Sequence, residues 1–208
     1  MRIWGRANSV NVQKVLWGCA ELGLRYERVD AGMKFGRVDD PDYRALNPNG
    51  RVPTLVDGEF VLWESNAILR YLAMKHGAGR PLYPADPAAR ASVDRWLDWQ
   101  LSTLSPAERN LFWGMVRTPP EQRDPAAIAA AAQASAAQWR VLDARLADGR
   151  SFIEGEEFTL ADIVLGAYVR RWFGVEVAER PALPNLDRWY AALHERPGFQ
   201  RFVAPPLT

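Results

Sequence analysis

The chain is poor in the residues on which many enzymes depend. Its 208 residues include one cysteine, Cys19, and two histidines, His76 and His194. A single cysteine excludes an intrachain disulfide. Two isolated histidines give no support to a hydrolase triad or to a histidine-rich metal site. We therefore expect a function that needs no metal ion.

Long apolar runs and strong net charge are also missing. No run of about 18 apolar residues is present, so we expect no transmembrane helix, and the first residues lack the apolar centre of a secretory signal. The net charge is +1, and no basic run interleaves with aromatic residues, which argues against a nucleic-acid partner. We expect a cytoplasmic protein that binds neither membranes nor nucleic acid.

The composition, 48% hydrophobic and 25% charged, is typical of a globular protein with a substantial core. Up to about residue 77, short strand patterns alternate with helix patterns. The predicted strands are 2–4, 26–29, 53–56 and 60–62, and Asp57-Gly58 is a hairpin signal between the last two. Helices are predicted from Ser9 or Asn11 to Gly23, at 42–46 and at 65–76.

This order, βαβ followed by αββα, predicts an α/β domain of thioredoxin-like arrangement. Its parallel pair needs a crossover helix, and its hairpin adds an antiparallel edge. Residues 78–86 are rich in proline and glycine and form a predicted linker. From 87 to 208 the patterns are helical only, with at least five helices and a bend or break near Ser105-Pro106. The predicted domains are therefore 1–77 and 87–208.

One helix in the second domain has a strong start signal. Thr159 can cap it, Asp162 can bond back from the third helical position, and Phe158 can pack against Ile163. We predict that this segment is structural.

Two short motifs about ten residues apart carry the functional argument. The first is Val52-Pro53-Thr54-Leu55, with a proline at the start of a predicted strand. Proline cannot donate to a sheet ladder. If the bond before it is cis, the backbone of Val52 faces outward and can pair with an extended peptide. The alternative is an ordinary edge strand.

The second motif is Glu64-Ser65-Asn66-Ala67-Ile68, at the start of a predicted helix. Ser65 can cap that helix, whose positive dipole end favours a carboxylate, while Glu64 can take an ammonium group. A carboxylate and an ammonium on one carbon form an amino-acid head group. The two motifs together predict a site for a small peptide such as glutathione, although the second can also be a simple helix cap.

The paired motifs resemble the glutathione-binding signature of the glutathione S-transferases, and the α/β-then-helical order extends the resemblance over the whole chain. It is most similar to bacterial members with a serine near the N-terminus, such as the theta, beta and nu classes. The resemblance implies the glutathione S-transferase fold, glutathione as co-substrate and a homodimer. It places the glutathione thiol near Ser9 or Asn11, between which the sequence does not choose.

By the same resemblance, Val52, Pro53, Glu64 and Ser65 bind glutathione, and Arg51 or Lys34 binds its glycine carboxylate. Trp99, Arg109, Trp113 and Arg117 are candidates for the second-substrate pocket, as are Trp96 and Met115, although the tryptophans also suit a core or an interface. Cys19 lies on the apolar face of the first helix and is predicted to be core.

The predicted reaction is attack of the glutathione thiolate on a small apolar electrophile. Two alternatives remain open. One keeps glutathione but reduces a disulfide or peroxide, removes a halide or isomerises its substrate. The other is a glutathione-binding or scaffold protein without catalysis.

Overall fold

The computed structural model describes all 208 residues and begins with a four-stranded sheet. The strands are β1 (Arg2–Trp4), β2 (Glu27–Val29), β3 (Thr54–Asp57) and β4 (Phe60–Trp63), in the order β2-β1-β3-β4. β1 runs parallel to β2 and antiparallel to β3, and β3 pairs with β4 as a hairpin. The parallel pair and the antiparallel hairpin are both as predicted.

Three helices accompany this sheet: α1 (Val10–Leu22), α2 (Pro41–Leu46) and α3 (Ser65–His76). α1 is the crossover between the parallel strands. It ends at Gly23, whose φ of 69° is a left-handed conformation that glycine adopts without steric cost. The first half is therefore the predicted thioredoxin-like α/β unit.

The second half is helical. Its helices are α4 (Pro87–Trp99), α5 (Ser105–Phe112), α6 (Pro125–Arg145), α7 (Leu160–Gly174), α8 (Pro184–His194) and α9 (Pro197–Phe202). The Asp86 and Asp124 carboxylates cap α4 and α6 by accepting backbone N–H groups of the first turn. No helix combines the length and the apolar character needed to cross a bilayer.

Of the bend or break predicted near Ser105-Pro106, the break is wrong. The chain stays helical from α4 through α5, because the five residues Gln100–Leu104 form a π-helical segment between them. This wider segment lets α5 start at Ser105, so that Pro106, which has no N–H to donate, falls in a first turn. A second π-helical segment, Trp113–Arg117, follows α5. α6 ends at Arg145, four residues before Gly149, the first glycine after this helix.

α1 lies at the centre of the molecule, packed against α3 on one side and α7 and α9 on the other. Its Trp17 has no exposed surface, and its ring lies 5.6 Å from that of Phe158 and 5.2 Å from that of Phe199. Cys19 is also fully buried, which confirms its core assignment, and burial raises the pKa of its thiol to about 12. Contacts on both sides fix the position of α1 and hence of its N-terminus.

α7 begins with the predicted reciprocal cap. Thr159 Oγ1 accepts a hydrogen bond from the Ala161 N–H at 3.3 Å, and Asp162 Oδ2 accepts one from the Thr159 N–H at 2.9 Å. The fully buried Asp162 also accepts from the Ile153 N–H at 3.0 Å and from Trp189 Nε1 at 2.9 Å. The carboxylate therefore joins α7, α8 and the preceding loop.

We predict a graded loss of stability at this cap. Thr159→Ala removes one capping bond and should lower the free energy of unfolding by about 1 kcal/mol. Asp162→Ala leaves several buried donors without an acceptor and should lower it by about 3 kcal/mol or more. Denaturant unfolding at pH 7 measures both. An equal loss in the two variants would contradict the central role of Asp162.

Candidate active site

A cavity of about 390 Å³ lies at the N-terminal end of α1, where loops of the first half face α5 and α7. Six of the residues predicted to form the site line this cavity: Ser9, Asn11, Arg51, Val52, Arg109 and Trp113. Four further polar lining residues were not predicted as site residues from the sequence, namely Arg6, Ser105, Tyr168 and Arg171. Both halves of the chain therefore contribute to one site.

Ser9 occupies the N-cap position of α1 with an extended backbone, φ −86° and ψ 122°, yet its side chain makes no capping hydrogen bond. The residue is 7% exposed, and it lines the cavity. Its hydroxyl is therefore free to donate into the cavity, next to the positive end of a 13-residue helix.

Asn11 connects the two predicted parts of the site. Its Oδ1 accepts a long hydrogen bond of 3.4 Å from the hydroxyl of Ser65 at the start of α3. In this orientation the amide Nδ2 makes no hydrogen bond within the protein and remains available as a second donor at the cavity.

Val52 precedes a cis peptide bond to the buried Pro53. Neither the N–H nor the C=O of Val52 forms a hydrogen bond within the protein. The loop is held from behind, because the Tyr43 hydroxyl and Asn47 Nδ2 donate to the Arg51 carbonyl at 2.6 Å and 2.9 Å. A fixed loop thus offers one free backbone donor and one free acceptor at the cavity.

The N-terminus of α3 differs from the prediction that Ser65 caps it. The N-cap residue is Glu64, and Ser65 is the first helical residue, with its hydroxyl directed to Asn11. Glu64 has a positive φ of 70°, a conformation that costs a non-glycine residue on the order of 1 kcal/mol or more. Its exposed carboxylate lies beside the free N–H groups of the helix.

Six predicted residues do not line the cavity: Pro53, Glu64 and Ser65, described above, and Lys34, Trp99 and Arg117. Lys34 is exposed, with its ammonium 5.2 Å from the Phe35 ring centre. Trp99 packs edge-on against Trp96 at 5.6 Å, and the Trp96 indole donates to Glu154. Arg117 lies behind the lining, with its guanidinium 5.6 Å from the Phe112 ring centre.

Another cavity, of about 1030 Å³, lies between α6 and the chain following α7 and contains none of these predicted residues. We assign the site to the smaller cavity because it contains the free donors.

Lys14 on α1 was also missed by the sequence reasoning. It has no exposed surface, and its ammonium donates to Asn66 Oδ1 at 2.8 Å and to Gln100 Oε1 at 3.0 Å. Burial lowers its pKa to about 7, although the nearby Glu64 carboxylate opposes this shift. A lysine between apolar positions of a helix gives no signal that it will be buried, because a long side chain usually reaches water.

Lys14 should make stability depend on pH in a defined window. Its pKa is about 7 in the folded protein and about 10.4 in the unfolded chain. Between these values the unfolded chain binds one proton more, so the free energy of unfolding rises with pH. From pH 7 to 9 we expect wild type to rise more steeply than Lys14→Met, by up to about 1.4 kcal/mol per pH unit.

Denaturant unfolding of both proteins across this range tests the prediction, and contributions of other groups cancel in the comparison. Parallel stability curves would show that Lys14 is not the source of the pH dependence.

The comparisons with known proteins agree with this architecture. The family described as "Glutathione S-transferase, N-terminal domain" matches residues 1–74, and "Glutathione S-transferase, C-terminal domain" matches residues 125–192. The protein named glutathione S-transferase GstB from Escherichia coli (strain K12) is 47% identical over 208 residues, 99% of each chain. Glutathione S-transferase 3 of Zea mays is 34% identical, over 98% of this chain and 93% of that protein.

A solved structure is also similar over the full length. The theta class glutathione S-transferase of Xanthomonas axonopodis pv. citri, with glutathione bound, superposes with a TM-score of 0.94 at 51% identity. The match covers 100% of this chain and 98% of that one. The chain therefore belongs to the glutathione S-transferase family. The predicted fold and the predicted glutathione-dependent transferase activity are confirmed. No group of three or more histidine, cysteine, aspartate or glutamate side chains is placed to hold a metal ion.

Proposed function

We propose that the cavity at the N-terminus of α1 binds glutathione and that its thiolate attacks a small electrophile held against α5. The observation that carries the proposal is the set of unpaired donors at one place: the Ser9 hydroxyl, the Asn11 amide and the Val52 backbone. Trp113, which is 50% exposed, offers an apolar surface for the body of the electrophile.

Each group of glutathione has a matching partner. The free N–H groups at the start of α3, with Ser65, suit the carboxylate of the γ-glutamyl head, and Glu64 suits its ammonium group. The free backbone of Val52 suits the cysteinyl peptide unit. Arg51, which lines the cavity, suits the glycine carboxylate better than the exposed Lys34, which does not line it.

Ser9 and Asn11 then favour the thiolate form. A thiol of pKa about 8.5 is about 3% ionised at pH 7, and a pKa two units lower gives about 75%. This increase of about 25-fold is reduced about 8-fold by the weaker nucleophilicity of a less basic thiolate. Ionisation alone therefore contributes only a few-fold. Most of the acceleration comes from holding the electrophile beside the sulfur.

The domain assignment is part of the same proposal. Residues 1–77 bind glutathione, residues 78–86 link the two domains, and residues 87–208 supply the electrophile side of the cavity.

We place the protein in the cytoplasm, where glutathione is kept as a thiol. We also propose a homodimer, supported by apolar side chains exposed near the sheet edge: Phe60, Trp63 and Met74 are 46%, 38% and 57% exposed.

Ultraviolet titration of bound glutathione tests the thiol assignment. In wild type the thiolate absorbance should appear with a pKa well below about 8.5. Ser9→Ala or Asn11→Ala should raise that pKa, because each removes one donor to the thiolate. The variant with the larger rise identifies the principal activating residue.

Lys34→Ala is a suitable control, since Lys34 lies outside the cavity lining, and its titration should match that of wild type. Tight binding with an unshifted thiol pKa would contradict activation by these residues and favour a carrier. Product analysis separates the remaining alternatives: a thioether adduct supports conjugation, whereas glutathione disulfide would indicate a reductase.

The dimer is tested by light scattering. Wild type should have twice the chain mass of 23.4 kDa. Met74→Glu places a charge on the exposed apolar patch and should shift the mass towards that of the monomer, whereas Met74→Leu should not. A monomeric wild type at micromolar concentration would contradict the proposal.

A further inference from the structure

The cavity has an unusual charge composition. Four of its lining residues are arginines, Arg6, Arg51, Arg109 and Arg171, and no aspartate or glutamate lines it. The chain as a whole has almost equal numbers of basic and acidic residues and a net charge of +1. The positive charge at this place is therefore a local feature.

The arginines of this cavity also lack protein partners. The guanidinium groups of Arg6, Arg109 and Arg171 form no ion pair and donate no hydrogen bond to the protein, and the buried Nε of Arg6 has no acceptor. Other partly buried arginines are paired with carboxylates: Arg70 bonds two aspartates at 2.6 Å and 2.7 Å, and Arg196 bonds Glu21 at 2.6 Å. Arg6 and Arg171 are partly buried, whereas Arg109 is exposed. Because unpaired buried charge lowers stability, Arg6 and Arg171 point to an anionic ligand, which Arg109 can also contact.

The Phe112 ring holds Arg171 and the neighbouring Arg117 close together. The Arg171 guanidinium lies 3.8 Å from the Phe112 ring centre, and the Arg117 guanidinium lies 5.6 Å from the same ring. Burial, and then repulsion from Arg117, lowers the pKa of Arg6. Burial, Arg117 and Arg6 lower that of Arg171, while Tyr168 and Glu108 act in the opposite direction. The cations therefore share one small volume.

The buried carboxyl group of Glu108, which interacts electrostatically with Arg171, does not neutralise this cluster. Its Oε1 accepts a hydrogen bond from Trp139 Nε1 at 2.6 Å, and Glu108 does not line the cavity. Burial raises its pKa to about 7, so its charge is incomplete at neutral pH. Arg171 forms no ion pair with it.

Glutathione accounts for only part of the positive charge. On the proposed binding mode, its γ-glutamyl carboxylate lies at α3 and its glycine carboxylate at Arg51. Its thiolate accepts hydrogen bonds from the neutral Ser9 and Asn11 and needs at most one cation in addition. At least two of the three arginines Arg6, Arg109 and Arg171 then remain without an anion. All three line the same cavity, and Arg109 and Arg171 lie on its helical side together with Trp113.

We propose that the electrophile of this enzyme carries a carboxylate, and that Arg109 and Arg171 bind it. The inference rests on the proposed function, since it names the substrate class of that site. A guanidinium can bind a carboxylate through two parallel hydrogen bonds, which fixes the orientation of the substrate as well as its affinity. Trp113 contacts the apolar body, and the carboxylate directs the reacting carbon towards the thiolate.

If the electrophile is an aryl chloride, its reaction with glutathione needs no further reagent. Glutathione loses its thiol proton to solvent on binding. The thiolate sulfur forms a bond to the ring carbon bearing chlorine, and the carbon–chlorine bond breaks with its electron pair leaving as chloride. The carboxylate takes no part in bond making and remains bound to the arginines.

A matched pair of substrates tests the proposal. 4-Chloro-3,5-dinitrobenzoate and its uncharged carboxamide have the same leaving group and the same activating nitro groups. Each kcat/KM is divided by the rate constant of the uncatalysed reaction with glutathione. We expect the carboxylate to exceed the carboxamide at least tenfold in this ratio.

Arginine variants identify the binding groups. Arg109→Gln, at an exposed position with no partner, should reduce the carboxylate-to-carboxamide preference about tenfold, and Arg171→Gln should do the same. Arg109→Lys, which keeps the charge, should retain part of the preference. Arg25→Gln is the matched control, because Arg25 is exposed, unpaired and at the opposite end of α1. It should retain the wild-type preference.

The outcomes separate this inference from the proposed function. Turnover of the carboxamide equal to or better than that of the carboxylate overturns the inference and leaves the transferase intact. A preference that survives in both Arg109→Gln and Arg171→Gln also overturns it. Failure to turn over either substrate, with glutathione bound, contradicts the proposed function itself.

Discussion

The ammonium group of Lys14 connects the three helices on whose arrangement the site depends. It extends from α1 to the amide oxygens of Asn66 on α3 and of Gln100 in the π-helical segment after α4. Asn66 also donates to the Leu97 carbonyl at 2.9 Å. The start of α1 carries the side chains of Ser9 and Asn11, and the start of α3 carries Glu64 and Ser65. The buried Lys14 side chain thus links two helix N-termini to the helical half of the chain.

Much of the fold could be predicted from local sequence patterns. Asp57-Gly58 predicted the hairpin, the helix 65–76 was predicted with its observed bounds, and Thr159 with Asp162 predicted the cap of α7. These features depend on turn chemistry and periodicity within a few residues. The π-helical passage through Pro106 was not predictable in this way, because tertiary packing keeps that segment helical where local preference favours a break.

The site was predictable where a motif fixes the backbone and less so where distant side chains meet. Val52 belongs to the paired motifs, and Ser9 came from the family resemblance. Arg171 lies on α7, far from those motifs in sequence, and only the packing of α7 against α1 brings it to the cavity. Lys14 is outside the cavity lining, and its burial depends on Asn66 and Gln100, which are distant in sequence. The inverted roles of Glu64 and Ser65 likewise depend on a hydrogen bond from Ser65 to Asn11, 54 residues away.

The burial of Cys19 has a consequence for the enzyme's own survival. An electrophile that reacts with glutathione reacts with any accessible protein thiolate. The one cysteine of this chain has no exposed surface and a pKa of about 12, so only on the order of one molecule in 10⁵ carries a thiolate at pH 7. The enzyme therefore presents no accessible thiolate of its own to compete with glutathione for the electrophile.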